Sequence, residues 1–460
     1  MKRDEILKNI NVNRLLWIIA GALLVIILFI SLNRFFDHDE FEAIHTSWKM
    51  LQGEKIYVDF FQHHHPFLYY MLIPVIRILG ENIHTIIAIR LMVFLMFLLI
   101  LFITYLIARD NFSKGIVVIG LLLLSSAYIF VIKVIEIRPN VPETLFALVS
   151  IFFLLGYFKK RNLLYLLLSA FSLGIAFLFF QLALFLVLFI GCLLLYDVYK
   201  KSIPFLDVLT YFFVFLLVLV PYGVYLVWTD SFYSYFQFNW ILNMKVLNRF
   251  LPFSGLLNIY SVNTILCVFY VIGLLFFLKT SNQKRIGVLS FGLLLSVFLV
   301  RTPWPQYFML AIPLMAIISA HAIYTIFKNN KVILFVMLVL STGPQINWLA
   351  QGARNTNEGQ LKKIAYVISI TNKDDFVYDG HILFNVFRKD VDFFWYSIDH
   401  RLGTLETFQT MTDYQYNIYE IIDRLKPKVI SNYYIDNMED PRIKNHYKQS
   451  KLYKDLFIRK

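Results

Sequence analysis

The chain has 460 residues, 59% of them hydrophobic and 16% charged, with a formal net charge of +13. Soluble domains carry about 45–50% apolar and about 25% charged residues; the surplus here sits in runs of about 18 or more apolar residues, the length that crosses a hydrocarbon core. The basic residues cluster in short loops between those runs, with no basic stripe interleaved with aromatics, which excludes nucleic acid as a partner and points to the bilayer.

In chain order, Met1 to Arg14 is basic and Leu15 to Leu32 apolar, with no small-residue cleavage site after it, so it reads as an uncleaved first span. Further spans are predicted at 85–108, 115–133, 141–158, 162–179, 181–199, 205–228, 258–278, 286–300, 307–327 and 332–349. With the N-terminus in the cytoplasm, the inside connections hold Arg109 and Lys114, Lys159-Lys160-Arg161, Lys200-Lys201, Lys279 with Lys284-Arg285, and Lys328 with Lys331. Every second short loop is then basic, as topology requires. An odd number of crossings leaves the C-terminus outside. Cys192 and Cys267 both lie inside apolar runs, so no disulfide framework is expected.

Three outside segments stand out. The first, 33–84, places Phe41, Ile44, Trp48 and Leu51 on one face of a helix over 40–51, an amphipathic pattern that predicts a helix lying on the membrane surface and stopping at Gly53. Phe67 to Leu79 is apolar but too short to span, and reads as interfacial or re-entrant. The second, 229–257, is rich in Tyr, Phe and Asn. The third is the tail from Gln351, whose composition turns polar. Helices over 359–370 and 415–425, alternating with strands at Phe376 to Asp379 and Val429 to Tyr434, predict a small α/β domain. The fold class that follows is an all-α polytopic membrane protein with about eleven transmembrane helices over residues 1–350, joined to an extracytoplasmic α/β domain over 351–460.

Asp37, His38, Asp39 and Glu40 sit where the first span leaves the membrane. A carboxylate deep in lipid costs about 2.5–3.5 kcal/mol, so these groups belong at the surface or in a wet cavity. Two compatible readings are open for Asp39: an N-cap with Glu42 as its box partner, and a rigidly held base. Gln62-His63-His64-His65-Pro66 reads either as a polar loop before a helix that Pro66 starts, or as a ligand run. Three consecutive histidines do not converge on one point, so a divalent metal there would need Asp39 or Glu40 to help, and no cofactor is expected. Arg138, in Glu136-Ile137-Arg138-Pro139-Asn140, either snorkels to the interface or grips an anionic head group. Arg301-Thr302-Pro303-Trp304-Pro305-Gln306-Tyr307, ahead of Pro313, is an aromatic-belt anchor with a kink or a second cationic contact.

These residues resemble the first external loop of the bacterial relatives of protein O-mannosyltransferases and lipid A aminoarabinose transferases, membrane glycosyltransferases of the GT-C class. The resemblance is carried by Asp39-Glu40 after span 1, Leu51-Gln52-Gly53-Glu54 with Tyr57 and Asp59, His65-Pro66 before an aromatic helix, and Arg90 opening span 2. Arg138-Pro139-Asn140 and Pro305-Gln306-Tyr307 with Pro313 are similar to later segments of the family, so the likeness covers about residues 15–320. One departure is His65, where some members have Lys. The resemblance implies an inverting enzyme of the bacterial plasma membrane. It would move a sugar from a polyprenyl-phosphate donor to the hydroxyl of a glycan, lipid or protein acceptor. By the same resemblance Asp39 is the base and Glu40 orients the loop or the acceptor, with His64, His65, Arg138, Arg301, Gln306 and Tyr307 around the donor phosphate. The competing expectation is a transporter or flippase of a lipid-linked sugar.

Overall fold

The computed structural model describes residues 12–246, 257, 263–300, 304–395 and 403–460. The chain divides into two compact units: Met1–Arg34 with Leu91–Leu219 and Phe250–Asn355, and Phe35–Arg90 with Val220–Arg249 and Thr356–Lys460.

The first unit is helical. Each of the eleven apolar segments is helix over most of its described length: Val12–Asn33, Ile83–Asn111, a broken pair Lys114–Ser126 and Tyr128–Val134, Asn140–Lys160, Leu163–Phe179, Ala183–Tyr199, Phe205–Trp228, Thr264–Phe276, Ser281–Val297, Ile312–Phe327 and Lys331–Gly352. Among the described residues, four of them are long and apolar enough to cross a bilayer by themselves, or five with the broken pair taken as one span. Residues 311–320, leading into and through the helix Ile312–Phe327, are buried without interruption, as a helix apolar on every side must be. It packs closely: a side chain at Gly273 would meet the carbonyl oxygen of Ile318 at 2.7 Å, so only glycine lets these two helices approach. Outward faces are apolar too. Leu91, Leu95, Leu99 and Phe102 form one stripe at 43%, 53%, 50% and 53% exposure, a surface suited to lipid and not to water.

The segment 115–133 is not the straight span that its composition predicts. It bends by 67° at Ala127, without proline or glycine. Ser125 and Ser126 turn their hydroxyls back onto the carbonyls of Leu121 and Leu122 at 2.8 and 2.9 Å, which loosens a helix. The amide of Tyr128 then donates to Gln345 Oε1 at 3.1 Å, so the second half-helix starts with a satisfied donor.

In the second unit, the tail and the loop 35–90 share one core. A four-stranded sheet in the order β1-β2-β4-β3 is formed by β1 Val377–Tyr378, β2 Val429–Ser431, β3 Tyr447–Gln449 and β4 Leu456–Arg459. β1 pairs parallel with β2, and β4 pairs antiparallel with both β2 and β3. The parallel pair needs a crossover, which the helices Thr404–Met411 and Ile418–Leu425 supply. The helix His38–Leu51 is buried from Glu40 to Lys49, on its polar as well as its apolar side, which corrects the expectation of a helix lying on the membrane surface. Its polar face has protein partners. His45 bonds Asp390 Oδ2 at 2.8 Å through Nε2 and the carbonyl of Val386 at 3.0 Å through Nδ1, and Lys49 donates to Asp390 Oδ2 at 2.7 Å. Burial would push the Asp390 carboxyl up, but His45 and Lys49 hold it below the usual range.

Candidate functional site

The N-terminus of the helix His38–Leu51 is fixed by a capping box, but two residues earlier than the sequence reading placed it. Asp37 is the N-cap: its Oδ1 accepts the amide of Asp39 at 3.2 Å, while Glu40 Oε1 accepts the amide of Asp37 at 3.0 Å. Asp39 therefore lies in the first turn, half-buried, where the helix dipole favours a negative charge. His38 spans both acids, with Nδ1 3.2 Å from Asp37 and Nε2 2.9 Å from Asp39. Ligand atoms of Asp37, His38 and Asp39 lie within 4.8 Å of one another, a spacing that the imidazole itself enforces by bonding both carboxylates.

Glu40 is fully buried and held by Arg90 through two bonds, Nη2 to Oε1 at 2.6 Å and Nε to Oε2 at 2.9 Å. Arg90 also donates to the carbonyl of Phe35 at 3.1 Å and stacks 3.5 Å over the ring of Phe36. This bidentate pair welds the capped turn to the start of the helix Ile83–Asn111.

Glu42, three residues past Asp39, is buried at 2% exposure. Gln62 Nε2 donates to Glu42 Oε1 at 2.7 Å and to Thr46 Oγ1 at 3.0 Å, and Tyr69 donates to Glu42 Oε1 at 3.2 Å. Gln62 Oε1 accepts the amides of His63 and His64 at 2.7 and 3.1 Å. The helix thus sets the conformation of the histidine run. His65 Nε2 meets the Tyr235 hydroxyl at 3.0 Å, Asn243 donates to the carbonyl of His63 at 2.9 Å, and Tyr57 donates to that of His64 at 2.6 Å. Tyr235 and Asn243 flank a π-helical turn, Gln237–Leu242, in the aromatic segment 229–257.

Burial, and then the neighbouring charge of Asp39, raise the Glu42 carboxyl to about 8. Burial lowers His63 to about 4, so this imidazole is neutral near pH 7 and offers hydrogen bonds but no fixed charge. A carboxyl that keeps its proton in the fold, and loses it when unfolded, makes stability fall as pH rises between the two values. The His63 contribution changes only below about 6.5, so Glu42 controls the window from 6.5 to 8. Thermal unfolding in detergent is expected to lose about 2 kcal/mol across it. Glu42→Gln keeps the contacts, carries no titrating proton and should flatten that slope; an unchanged slope in this variant would assign it elsewhere.

In the helical unit, Arg138 is buried at 5% exposure and bonded to Glu136. Lys133 reaches Glu136 at 2.9 Å, and Arg34 reaches Glu136 at 3.2 Å; Arg34 also donates to the carbonyl of Ile132 at 3.1 Å. Burial would raise the Glu136 carboxyl, but Arg138, Lys133 and Arg34 bring it down to about 2. Three cations thus gather on one buried carboxylate. Tyr307 lies in the short helix Pro305–Leu310, its ring 5.8 Å from Phe180; Gln306 precedes it, and Arg301 lies outside the described residues. Sequence reasoning gave Glu42 only a capping role and gave none to Gln62, Arg34 or Lys133. Only Glu136 beside Arg138 signalled a charge pair.

The fold is shared with solved glycosyltransferases. The family model described as dolichyl-phosphate-mannose-protein mannosyltransferase matches residues 63–228. ArnT from Cupriavidus metallidurans, solved bound to undecaprenyl phosphate, is similar at 12% identity and a TM-score of 0.70, covering 96% of this chain and 97% of that one. The Archaeoglobus fulgidus oligosaccharyltransferase in its apo form is similar at 12% identity and a TM-score of 0.54, covering 89% and 69%. No curated protein matches the chain by sequence. At these identities the likeness establishes the fold.

Proposed function

We propose that this protein is an inverting glycosyltransferase. It moves a hexosyl or pentosyl group from a polyprenyl-phosphate donor to an acceptor hydroxyl at the outer face of the membrane. The observation that carries this reading is the carboxylate of Asp39, fixed in a capped first turn next to the histidine run, on a fold that in ArnT holds undecaprenyl phosphate. The chain would cross the bilayer eleven times, with its N-terminus in the cytoplasm and residues 351–460 outside.

The chemistry asks for few groups. Asp39 takes the proton of the acceptor hydroxyl, which requires an approach of about 2.6–3.2 Å. The acceptor oxygen bonds to the anomeric carbon as the carbon–oxygen bond to phosphate breaks, and the phosphate leaves with the electron pair. A phosphate is a stable leaving anion, so it needs charge stabilisation and no acid. Arg138 with Lys133 and Arg34 supplies cations for it, and Arg301 is proposed to add a further one. His64, His65, Gln306 and Tyr307 supply hydrogen bonds to donor or acceptor. Glu40, locked to Arg90, positions the turn that carries Asp39.

Purified protein in detergent, where transport has no meaning, is expected to transfer sugar from a polyprenyl-phosphate donor to an acceptor extract, followed by mass spectrometry. Arg138→Gln should raise the donor KM at least about tenfold, the weight of one buried charge-assisted contact. Absence of transfer with every donor tried, alongside donor movement across vesicles, would replace the enzyme with a flippase.

A further inference from the structure

The helical unit holds a recess of about 510 Å³ that none of the groups above lines. It opens where three connections meet: the turn after the helix Ile83–Asn111, the loop after Thr264–Phe276, and the end of Ile312–Phe327. Arg109, Lys279 and Lys328 rim it. Arg109 has a partner, Asp110, at 3.0 Å. Lys279 and Lys328 have no carboxylate partner among the described residues, so the rim keeps a net positive charge.

The walls are built, not incidental. Gln283 Nε2 donates to the carbonyl of Asn111 at 2.9 Å, tying the second connection to the first. His321 Nε2 bonds the carbonyl of Phe277 at 2.8 Å, tying the third to the second. Two helices begin at this cavity, Lys114–Ser126 after Ser113 and Ser281–Val297 after Thr280, and both Ser113 and Thr280 line it. Ser113 makes no side-chain cap to its helix. The Ser281–Val297 end is closed by the capping box of Thr280 and Gln283, so the helix end left without a side-chain cap, at Ser113, and the cationic rim are what favour an anion here. The floor is apolar and aromatic, with Ile116 and Phe277, which suits the glycerol and first methylenes behind a charged head group.

Basic loops orient membrane proteins, and Lys159-Lys160 and Lys200-Lys201 do not line this recess. The set at Arg109, Lys279 and Lys328 differs because its charges rim one open recess that the uncapped start of the helix Lys114–Ser126 also lines. We propose that this cavity binds a phosphate ester on the basic-loop side of the membrane, either the head group of an anionic phospholipid or a water-soluble phosphate. The site is separate from the proposed donor site.

Native mass spectrometry of the full chain, after exchange into micelles containing phosphatidylglycerol or phosphatidylcholine, tests the lipid source. Calorimetric titration with inorganic phosphate and glycerol phosphate tests the soluble one. Selective retention of one phosphatidylglycerol, or saturable binding of either phosphate, supports the site and names its source. Lys279→Gln/Lys328→Gln should weaken that binding on the order of thirtyfold, from two surface cations. Arg109→Gln, already neutralised by Asp110, should cost no more than about threefold. Lys159→Gln/Lys200→Gln should change it less than about twofold, with size-exclusion profiles unchanged throughout. No retained lipid and no phosphate binding overturns the proposal, as does an equal loss in the Lys159/Lys200 pair, which would mean a diffuse basic surface.

Discussion

Asp39→Asn is expected to lower glycosyl transfer by about 10²–10⁴-fold, the usual contribution of a positioned base, while leaving the fold intact. The fold should survive because Asp39 is neither the cap nor its box partner. Asp37 and Glu40 fill those roles, and Asn at the second helical position keeps both the size and the hydrogen-bonding oxygen of the aspartate. What is lost at the helix end is a charge in the first turn, worth about 0.3–1 kcal/mol. His38 bonds Asp39 at 2.9 Å and keeps Asp37 as its other partner at 3.2 Å, so it is not stranded. Transfer and thermal unfolding, measured on the same detergent preparation, separate the two effects. Donor KM should stay within about threefold, because the phosphate is assigned to other groups. Wild-type turnover in Asp39→Asn would remove the base from the mechanism and leave the fold assignment untouched.

How much of this was legible in the sequence depends on how local each signal is. Long apolar runs are a local signal, and each predicted run is helix over most of its described length. The capping box was misplaced for a definable reason. Asp37 with Glu40 and Asp39 with Glu42 show the same acid-then-glutamate spacing, so the motif is degenerate by two residues. Arg90, 50 residues away, selects the first register by taking both oxygens of Glu40. The bend at Ala127 carries no proline or glycine, and depends on Gln345, 217 residues on, to receive the freed amide. The strands Tyr447–Gln449 and Leu456–Arg459 are three and four residues long, too short for alternation to show.

The candidate site follows the same rule. Asp39, His65 and Arg138 stood out because charged and imidazole groups are rare beside apolar runs. The groups around them did not, because Tyr235 lies 170 residues from His65 and Arg34 lies 102 from Glu136. The polar face of the helix His38–Leu51 looks solvent-directed by periodicity. Only the tail, which arrives more than 300 residues later, supplies Asp390 and the carbonyl of Val386 to receive it.

The largest stability effect is expected at Glu40. Its carboxylate has no exposed surface and Arg90 has 1%, so the pair is desolvated on both sides. Removing one member of such a pair leaves the other as an uncompensated buried charge, at a cost of about 3–5 kcal/mol. Glu40→Gln keeps the shape and loses the charge. It should destabilise the protein by that amount and reduce transfer only as far as the population of folded protein falls. Replacing both partners by apolar residues of similar volume, Glu40→Met/Arg90→Met, removes the stranded charge and should recover more than half of the loss. A double-mutant cycle on thermal unfolding in detergent then gives a coupling of several kcal/mol, far above the 0–1 kcal/mol or so of an exposed pair. The cycle also decides what Glu40 does. If Glu40→Gln melts within about 1 kcal/mol of the wild type yet transfers nothing, Glu40 acts on the substrate, and the anchoring of the Asp39 turn must come from Asp37 and the helix itself. If both single variants are unstable and the double variant regains stability and part of its activity, Glu40 and Arg90 are the clamp that holds the base in place.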